Sequence, residues 1–471
     1  MFMRMIYDEK LAQAAYLFGC QKSGTAIVVD PERDVDRYVD LARANGLRIV
    51  AVAETHIHAD FVSGARELAD RVEARVYVSG EGGQDWQSRW AKEYDHVVLS
   101  DGDVFSVGNI EFRAVHTPGH TPEHIAYVVT DRGSGASDPI GVCTGDFVFV
   151  GDLGRPDLLE SAAGQAGAMK PSAQRLFGSA KWLGTLPDYV QIWPGHGAGS
   201  ACGKALGAVP TSTVGYEKRF NPALKLAIDE DTSEGSFVDF ILEGQPEPPM
   251  YFANMKRVNR DGPDVLGRLP KPRQVHLAEM VTFDPMQVAL IDTRPWGPYR
   301  DGHLPGAMSF PLNNSFNTDV GSMVRADEDI YLIIEPSRLE EAIRDLVRIG
   351  LDRIRGWMDS GEMSGAADLV STAEVDVPEA AQLVSEGAWV LDVRRASEFA
   401  TGHIDGAKNI AHTRLASRLE ELPEGKKMLV HCQSGLRSAR ACGYLQRWGY
   451  DCINLKGGYA AWEKEQARAH A

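Results

Sequence analysis

The sequence predicts an α/β protein with one large domain of mixed sheets and two small α/β domains that repeat each other. Two patterns predict this class. Short β-branched runs alternate with amphipathic stretches over the first 200 residues, and the carboxyl-terminal half contains an internal repeat. The chain has 471 residues, of which 44% are hydrophobic and 24% charged. This length and composition are typical of a globular protein with about three domains.

The first domain opens with predicted strands and helices in alternation. Strand-like runs at 26–30, 47–55 and 74–79 are separated by amphipathic stretches at 34–46 and 61–72. From about 95 to 150 the strand-like runs follow one another closely through Gly and Asp turns, which indicates antiparallel pairing. A sandwich of two mixed sheets with helices outside accommodates both patterns, and a mostly helical stretch follows at 203–243.

The internal repeat lies at 291–311 and 391–411. It pairs Asp292 with Asp392 and His303 with His403, so the copies are 100 residues apart. Each copy continues into a buried-type strand, a loop, a helix and a short strand, which predicts one small α/β domain of about 100 residues per copy. We therefore expect domains at 1–252, 272–366 and 372–471.

Charge and cysteine content exclude several classes of protein. The net charge of −17 opposes phosphate backbones and anionic membrane surfaces, so we expect neither nucleic acid nor a membrane as partner. Six cysteines without a CxxC pair fit free thiols in a reducing compartment. The sequence has no signal-peptide pattern and no apolar run near 18 residues, which favours a cytoplasmic protein, and a homo-oligomer is left open.

Four loops of the first domain carry potential metal ligands. Each loop directly follows a predicted strand, and the carboxyl ends of parallel strands meet at one edge of a sheet. Imidazole and carboxylate groups in such loops are typical metal ligands. The candidate residues are His56, His58 and Asp60 in THIHADF, His120 in HTPGHT, Asp146 in CTGD and His196 in PGHG.

These residues, in this order, resemble the metallo-β-lactamase superfamily over about residues 1–250. The resemblance implies an αββα sandwich with a metal site at the edges of its sheets. The usual superfamily motif is HxHxDH, in which the last histidine binds a second metal, but this chain has Phe61 there. The ligands left for a second metal are poorly suited to tight binding, so we expect a single-metal site.

Two imidazoles and one carboxylate, with open positions beside them, form the facial triad of non-haem Fe(II) oxygenases. Within the superfamily this matches the persulfide dioxygenases. The resemblance implies that His56, His120 and Asp146 hold a mononuclear non-haem Fe(II). It makes the remaining three residues, His58, Asp60 and His196, groups that orient the ligands and the bound persulfide through hydrogen bonds.

Two further positions follow from the same resemblance. Arg155, in GDLGRPDL, is a candidate for orienting a ligand or for contacting a substrate carboxylate. Cys202, six residues after His196, is expected on a loop at the rim of the site. It is either a buried small hydrophobic residue or a thiol that relays sulfane sulfur, and both interpretations stay open.

A second constellation lies in the last repeat, where one cysteine follows a strand and precedes a helix. Backbone N–H groups, the helix amino terminus and Arg437 would stabilise a thiolate or persulfide on Cys432. The loop, with the Asp392–Arg394 strand end and His403, resembles rhodanese domains over about residues 372–471, which implies transfer of sulfane sulfur through a cysteine persulfide. The predicted persulfide loop consists of Cys432, Gln433, Ser434, Gly435, Leu436 and Arg437.

The length of the loop distinguishes a rhodanese-like domain from a cysteine phosphatase. A Cys-to-Arg loop can also bind phosphate. The loop from Cys432 to Arg437 has six residues, whereas phosphatases of this fold have one more, so the phosphatase interpretation is disfavoured.

The first repeat differs at the decisive position. Glu335 stands opposite Cys432, and a carboxylate cannot form a persulfide. We therefore expect this copy to lack sulfurtransferase chemistry and to act as a spacer or docking surface.

The whole chain resembles the bacterial persulfide dioxygenase–rhodanese fusions. This implies oxidation by O2 of the sulfane sulfur of a low-molecular-weight thiol persulfide, of glutathione, coenzyme A or a similar thiol, to sulfite. Cys432 would interconvert sulfite and thiosulfate, in either direction. Two alternatives stay open: a zinc-dependent thioester hydrolase of the glyoxalase II type fused to a sulfurtransferase, and a sulfur carrier without oxygenase activity.

Overall fold

The structure is a computed structural model that describes residues 1–161, 166–204, 206–245 and 247–469. Position 205 of the predicted helical stretch and the last two residues of the third predicted domain, 470 and 471, lie outside these ranges. The chain divides into two compact units, Met1–Leu269 with Val347–Ile349, and Pro270–Leu346 with Gly350–Ala471. The three domain boundaries stay a prediction, since the second unit contains both repeats.

The first unit contains two large sheets and the helices that cover them. Its strands are β1 (Phe2–Asp8), β2 (Gln13–Cys20), β3 (Thr25–Val29), β4 (Arg48–Ala53), β5 (Arg75–Ser79), β6 (His96–Leu99), β7 (Val104–Val107), β8 (Ile110–His116), β9 (Ile125–Asp131), β10 (Gly141–Gly145), β11 (Val148–Phe149), β12 (Asp152–Leu153), β13 (Gln191–Pro194) and β14 (Ser212–Thr213). Its helices are α1 (Asp36–Ala44), α2 (Ala65–Val72), α3 (Leu158–Ser161), α4 (Met169–Gly184), α5 (Val214–Phe220), α6 (Pro222–Ile228), α7 (Glu234–Leu242) and α8 (Phe252–Asp261).

The two sheets have six strands each and form the middle of a four-layer sandwich. The first has the order β1-β2-β3-β4-β5-β6 and the second β14-β13-β10-β9-β8-β7. Side chains of both, among them Phe18, Phe112 and Trp193, form one buried core between the sheets. A second core lies under α1 and α2, and a third lies under α4, α6 and α7. The predicted αββα sandwich is confirmed.

The second unit contains two five-stranded parallel sheets with the same topology. Its strands are β15 (Arg273–Gln274), β16 (Val288–Asp292), β17 (Met308–Ser309), β18 (Asp329–Ile334), β19 (Ile354–Asp359), β20 (Ala373–Val375), β21 (Trp389–Asp392), β22 (Lys408–Asn409), β23 (Met428–His431) and β24 (Cys452–Leu455). Its helices are α9 (Leu277–Met280), α10 (Trp296–Asp301), α11 (Phe316–Met323), α12 (Leu339–Arg348), α13 (Val377–Ser385), α14 (Ala396–Ala400), α15 (Leu436–Arg447) and α16 (Gly458–Ala469). The orders β15-β19-β18-β16-β17 and β20-β24-β23-β21-β22 match strand for strand, as the repeat predicts.

The described part of the chain includes no helix that is both long and apolar enough to span a bilayer.

Candidate functional site

Four loops of the first unit bring histidine and carboxylate groups together where strands end. His56 follows β4, His120 follows β8, Asp146 follows β10 and His196 follows β13, and all four side chains are buried. Asp146 is central to the group. Its Oδ2 lies 3.9 Å from His56 Nε2 and 3.5 Å from His120 Nε2, and its Oδ1 lies 3.4 Å from His196 Nε2.

Hydrogen bonds at Nδ1 fix the orientation of the three imidazoles. His120 Nδ1 lies 3.1 Å from the carbonyl oxygen of Arg155, and His196 Nδ1 lies 3.1 Å from that of Ala12. Since a carbonyl only accepts, Nδ1 carries the proton in both rings and Nε2 keeps its lone pair. The lone pairs therefore face Asp146, as in a metal-ligating histidine.

The tautomer of His56 is set through a hydroxyl group. The Thr55 hydroxyl donates to Asp30 Oδ2 at 2.8 Å, so its oxygen is left to accept from His56 Nδ1 at 2.9 Å. The Thr55 backbone N–H also donates to Asp30, at 2.7 Å. This chain of contacts gives His56 Nε2 the lone pair, as in the other two rings.

The protonation states suit a metal cation. Burial, with help from neighbouring histidines, lowers the pKa of His56 well below its usual value, and burial also lowers the pKa of His120. Burial opposes ionisation of Asp146, but His196 and His120 outweigh it and lower the pKa of this carboxyl. His56 Nε2 and both Asp146 oxygens are buried without a hydrogen-bond partner. Such atoms are costly unless a ligand such as a metal ion satisfies them.

Two glycines, Gly154 and Gly195, pack tightly against Asp146. A Cβ on Gly195 would lie 2.8 Å from Asp146 Oδ1, and one on Gly154 would lie 1.8 Å from the Asp146 carbonyl oxygen. A larger residue at Gly195 would push against the Asp146 carboxylate, and one at Gly154 would push against the Asp146 backbone, so this geometry requires glycine at both positions.

A second cluster adjoins the first one. His196 Nε2 lies 3.1 Å from Asp60 Oδ2, and the ligand atoms of Asp60, His196 and Cys202 all lie within 4.8 Å of one another. Cys202 is only 1% exposed and packs with Phe149 and Phe252, so it lies beside the site but is buried. Burial raises the pKa of the Cys202 thiol well above its usual value. Both roles considered for this thiol stay predictions.

His58 turns away from Asp146 to a pair of acids. Its Nε2 lies 3.2 Å from both Asp30 Oδ1 and Glu54 Oε2, and these carboxylates raise its pKa against the effect of burial. The ring of Phe61 packs against the His58 ring with centroids 4.3 Å apart. Asn259 donates to the carbonyl groups of His58 and Phe61, at 2.8 and 2.7 Å, and thereby holds this loop.

Arg155 is fully buried and is held by Asp157 and by the backbone at Ala201. Its Nε and Nη2 donate to Asp157 at 3.0 and 2.7 Å, and its Nη1 donates to the Ala201 carbonyl at 2.8 Å. Its own carbonyl accepts from His120, which fits the orienting role, and a contact with a substrate carboxylate stays a prediction.

Sequence reasoning missed Asp30, Thr55 and Asn259. Asp30 directly follows β3, so the rule that selected the other loops could have selected it as well. Asn259 gave no local signal, because it lies on α8, 201 residues after His58.

The predicted persulfide loop connects β23 to α15 in the second unit. The Cys432 sulfur accepts the Gly435 backbone N–H at 3.1 Å, and the Ser438 hydroxyl oxygen lies 3.6 Å from it. Burial opposes ionisation of Cys432, but hydrogen bonds from Ser438 and Ser434, with the charge of Arg437, lower the thiol pKa. Gly435 has φ +92°, a left-handed conformation that lets the loop turn into the helix.

Two arginines border the loop. Arg394 donates to Gln433 Oε1 at 3.2 Å, and the Arg437 guanidinium makes two hydrogen bonds of 2.7 Å to Glu398. Gln433, Ser434 and Leu436 are exposed, while the Cys432 side chain is 1% exposed. In the first repeat, Glu335 is exposed and accepts the Ser337 hydroxyl at 2.7 Å, at the position that corresponds to the cysteine.

Comparison with known proteins finds a known family for each of the two regions that contain these sites. The metallo-beta-lactamase superfamily matches residues 9–196, and the rhodanese-like domain family matches residues 376–465. A crystal structure of a metallo-beta-lactamase from Staphylococcus aureus subsp. aureus COL is 40% identical and aligns with a TM-score of 0.68. The alignment covers 76% of this chain and 98% of that one.

The chain belongs to the metallo-β-lactamase superfamily and carries a carboxyl-terminal rhodanese-like domain. Two relatives of this superfamily member are named for different activities. The mitochondrial persulfide dioxygenase ETHE1 of Bos taurus is 25% identical over 48% of this chain and 78% of its own length. A probable polyketide biosynthesis zinc-dependent hydrolase, BaeB, of Bacillus velezensis is 24% identical over 45% of this chain and 84% of its own length.

Proposed function

We propose that this protein oxidises the sulfane sulfur of a low-molecular-weight thiol persulfide with O2 to sulfite, and transfers sulfane sulfur through Cys432. The observation that carries the proposal is the buried group of His56, His120 and Asp146, whose donor atoms lie within 4.8 Å of one another. The persulfide dioxygenases among its relatives and the rhodanese-like domain support a role in sulfur metabolism.

The donor set favours Fe(II). Two neutral imidazoles and one carboxylate are the ligands of non-haem Fe(II) oxygenases, which keep further coordination positions open. An iron(II) ion held by His56, His120 and Asp146 would supply the redox chemistry that joins O2 to sulfur.

The chain's own residues orient this donor set and bury it away from solvent. Thr55 and the Arg155 carbonyl fix the rings of His56 and His120. Asp60 and His196, with their unpartnered buried atoms, lie beside Asp146, where they can hydrogen-bond a substrate. Phe61 places an apolar ring where the superfamily motif has a metal-binding histidine, so a second ion would lack that ligand.

The second step belongs to the persulfide loop. The Cys432 thiolate attacks the outer sulfur of thiosulfate, the new S–S bond forms as the old one breaks, and sulfite leaves with the bonding electron pair. In reverse, sulfite attacks the outer sulfur of the Cys432 persulfide and forms thiosulfate. The loop N–H groups and Arg437 stabilise the negative sulfur in both directions.

A second candidate for the metal domain is zinc-dependent thioester hydrolysis. The relationship to a protein named as a zinc-dependent hydrolase favours it, and so does the neighbouring cluster of Asp60, His196 and Cys202, because zinc binds this type of ligand.

The decisive experiment uses the full chain purified without chelators. We expect iron at about one equivalent, and O2 uptake with sulfite release when glutathione persulfide or coenzyme A persulfide is added. Stoichiometric zinc with thioester hydrolysis would contradict the oxygenase proposal in favour of the hydrolase. An iron-replete protein without O2 uptake would contradict it in favour of a sulfur carrier.

A further inference from the structure

Arg437 of the persulfide loop is held by a carboxylate from outside the loop. Glu398 lies on α14, and its Oε2 and Oε1 accept Arg437 Nη1 and Nη2, each at 2.7 Å. Such a two-pronged contact fixes the plane of the guanidinium as well as its position. Arg437 lies in the first turn of the helix that follows the Cys432 loop, and its charge favours the thiolate form of Cys432.

A backbone hydrogen bond also holds the Glu398 carboxylate in place. Its Oε2 accepts the backbone N–H of Arg395 at 3.1 Å, which closes the first turn of α14. The hydrogen bonds from Arg437 lower the pKa of the Glu398 carboxyl, so it is charged at neutral pH. An anchored, charged partner limits the rotamers open to a long arginine side chain, which is flexible when free.

Comparison with the first repeat, which lacks the cysteine, shows which contacts of the second repeat belong to the shared fold. Arg394 Nη2 donates to Asp392 at 2.7 Å and to the Gly402 carbonyl at 2.6 Å. In the first repeat, Arg294 Nη2 makes the corresponding contacts at 2.6 and 2.8 Å. Because the copy without a cysteine keeps these contacts, they belong to the fold.

Glu398, in contrast, has no counterpart in the first repeat. The first repeat has Glu335 where the second has Cys432, and it also lacks the other two members of the group. Glu340 stands opposite Arg437, and Pro298 stands opposite Glu398. The three residues are therefore present together in one copy and absent together from the other, which associates Glu398 with the sulfur chemistry.

We propose that Glu398 is a positioning residue for sulfur transfer, which holds the Arg437 guanidinium against the Cys432 sulfur. The inference rests on the proposed sulfur transfer at Cys432. In that reaction negative charge passes from the attacking thiolate to the departing sulfite, next to Arg437. A guanidinium already in place stabilises this charge without first being ordered. Glu398 thus acts through Arg437 and not on the substrate itself.

The test compares the kinetics of Glu398→Ala with those of the parent enzyme. We expect kcat for thiosulfate:cyanide sulfur transfer to fall about tenfold, as for loss of a charge-assisted hydrogen bond, with a smaller change in KM. Glu398→Gln, which keeps part of the contact, is expected to recover part of kcat. Iodoacetamide alkylation of Cys432 at neutral pH, located by mass spectrometry, should slow down in Glu398→Ala because Arg437 no longer stabilises the thiolate.

The alkylation rate also distinguishes the positioning of Arg437 from the direct effect of the Glu398 charge on the thiol. Loss of a nearby negative charge by itself would favour the thiolate, so unchanged or faster alkylation in Glu398→Ala would overturn the proposal. In the Arg437→Ala background, Glu398→Ala should have no further effect, and an additive effect would also count against it.

Glu421→Ala is the matched control. Glu421 accepts Arg418 Nε and Nη2 at 2.5 and 2.9 Å in the same repeat but outside the loop, and its loss should change neither measurement. If the parent protein transfers no sulfur, the proposed function fails, while alkylation still tests whether Glu398 holds Arg437.

Discussion

At the residue scale, the candidate metal centre depends on which nitrogen of each histidine is protonated. His120 and His196 donate from Nδ1 to backbone carbonyls, which no side-chain substitution removes. His56 instead relies on the Thr55 hydroxyl, which is fixed by Asp30. This ring is therefore the one whose orientation can be tested by mutation.

Thr55→Val removes the hydroxyl and keeps the shape of the side chain. We expect the affinity for the metal to fall about 10- to 100-fold, the usual effect of losing the partner that orients a ligating histidine. Competition with a chelator of known affinity measures the change. Thr55→Ser keeps the hydroxyl and is expected to bind metal like the parent protein. Equal affinity in Thr55→Val would mean that His56 does not depend on this contact.

At the element scale, the repeat without a cysteine covers one face of α15, the helix that starts at the persulfide loop. Arg447 donates to Glu328 Oε2 at 2.5 Å, and Arg440 pairs with Asp319. A Cβ on Gly443 would lie 2.9 Å from the Ser309 backbone nitrogen, so the helix and β17 are in close contact. This packing gives the first repeat a structural role within the second unit, and its role as a spacer or docking surface stays a prediction.

Glu328→Ala tests the strength of this packing. It leaves Arg447, whose side chain is 2% exposed, as a buried charge without its carboxylate, and breaking such a pair costs about 3–5 kcal/mol. Calorimetry of the full chain should show a lower unfolding temperature for the second unit. Asp327→Ala removes the neighbouring surface pair with Arg325 and is expected to cost less than about 1 kcal/mol. If both substitutions lowered the stability equally, burial of the Arg447–Glu328 pair would not strengthen its contribution to stability.

At the scale of the whole molecule, the two candidate sites lie in separate compact units. His120 belongs to the first unit and Cys432 to the second, and each site is built from residues of its own unit. The two activities should therefore be separable by single substitutions.

Cys432→Ser is expected to abolish thiosulfate:cyanide sulfur transfer and to leave persulfide-dependent O2 uptake intact. His120→Ala is expected to do the reverse, because it removes a metal ligand and leaves the persulfide loop unchanged. An oxygen electrode and a thiocyanate assay on the same preparations measure both activities. Loss of both activities in either variant would refute independent sites.

The sequence by itself determined the α/β class, the sandwich of the first unit and the repeat in the second. Hydrophobic periodicity and strand-end loops are local signals, and they selected every residue of the buried group around Asp146. The six-residue segment from Cys432 to Arg437, which runs from the end of β23 into the start of α15, was equally visible, since its strand, cysteine and helix are consecutive. The role of each of these residues stays a prediction.

Only the tertiary structure shows why His56, which the resemblance assigned to the metal, faces Asp146 while His58 does not. His56 and His58 have the same local pattern, but Asp30 and Glu54 hold His58 away, and Asn259 fixes the loop from α8. The hold of Glu398 on Arg437 was hidden in the same way, across 39 residues of chain. The physical reason is that a hydrogen bond between distant segments depends on how they pack, and a periodic pattern along the chain does not encode the partner.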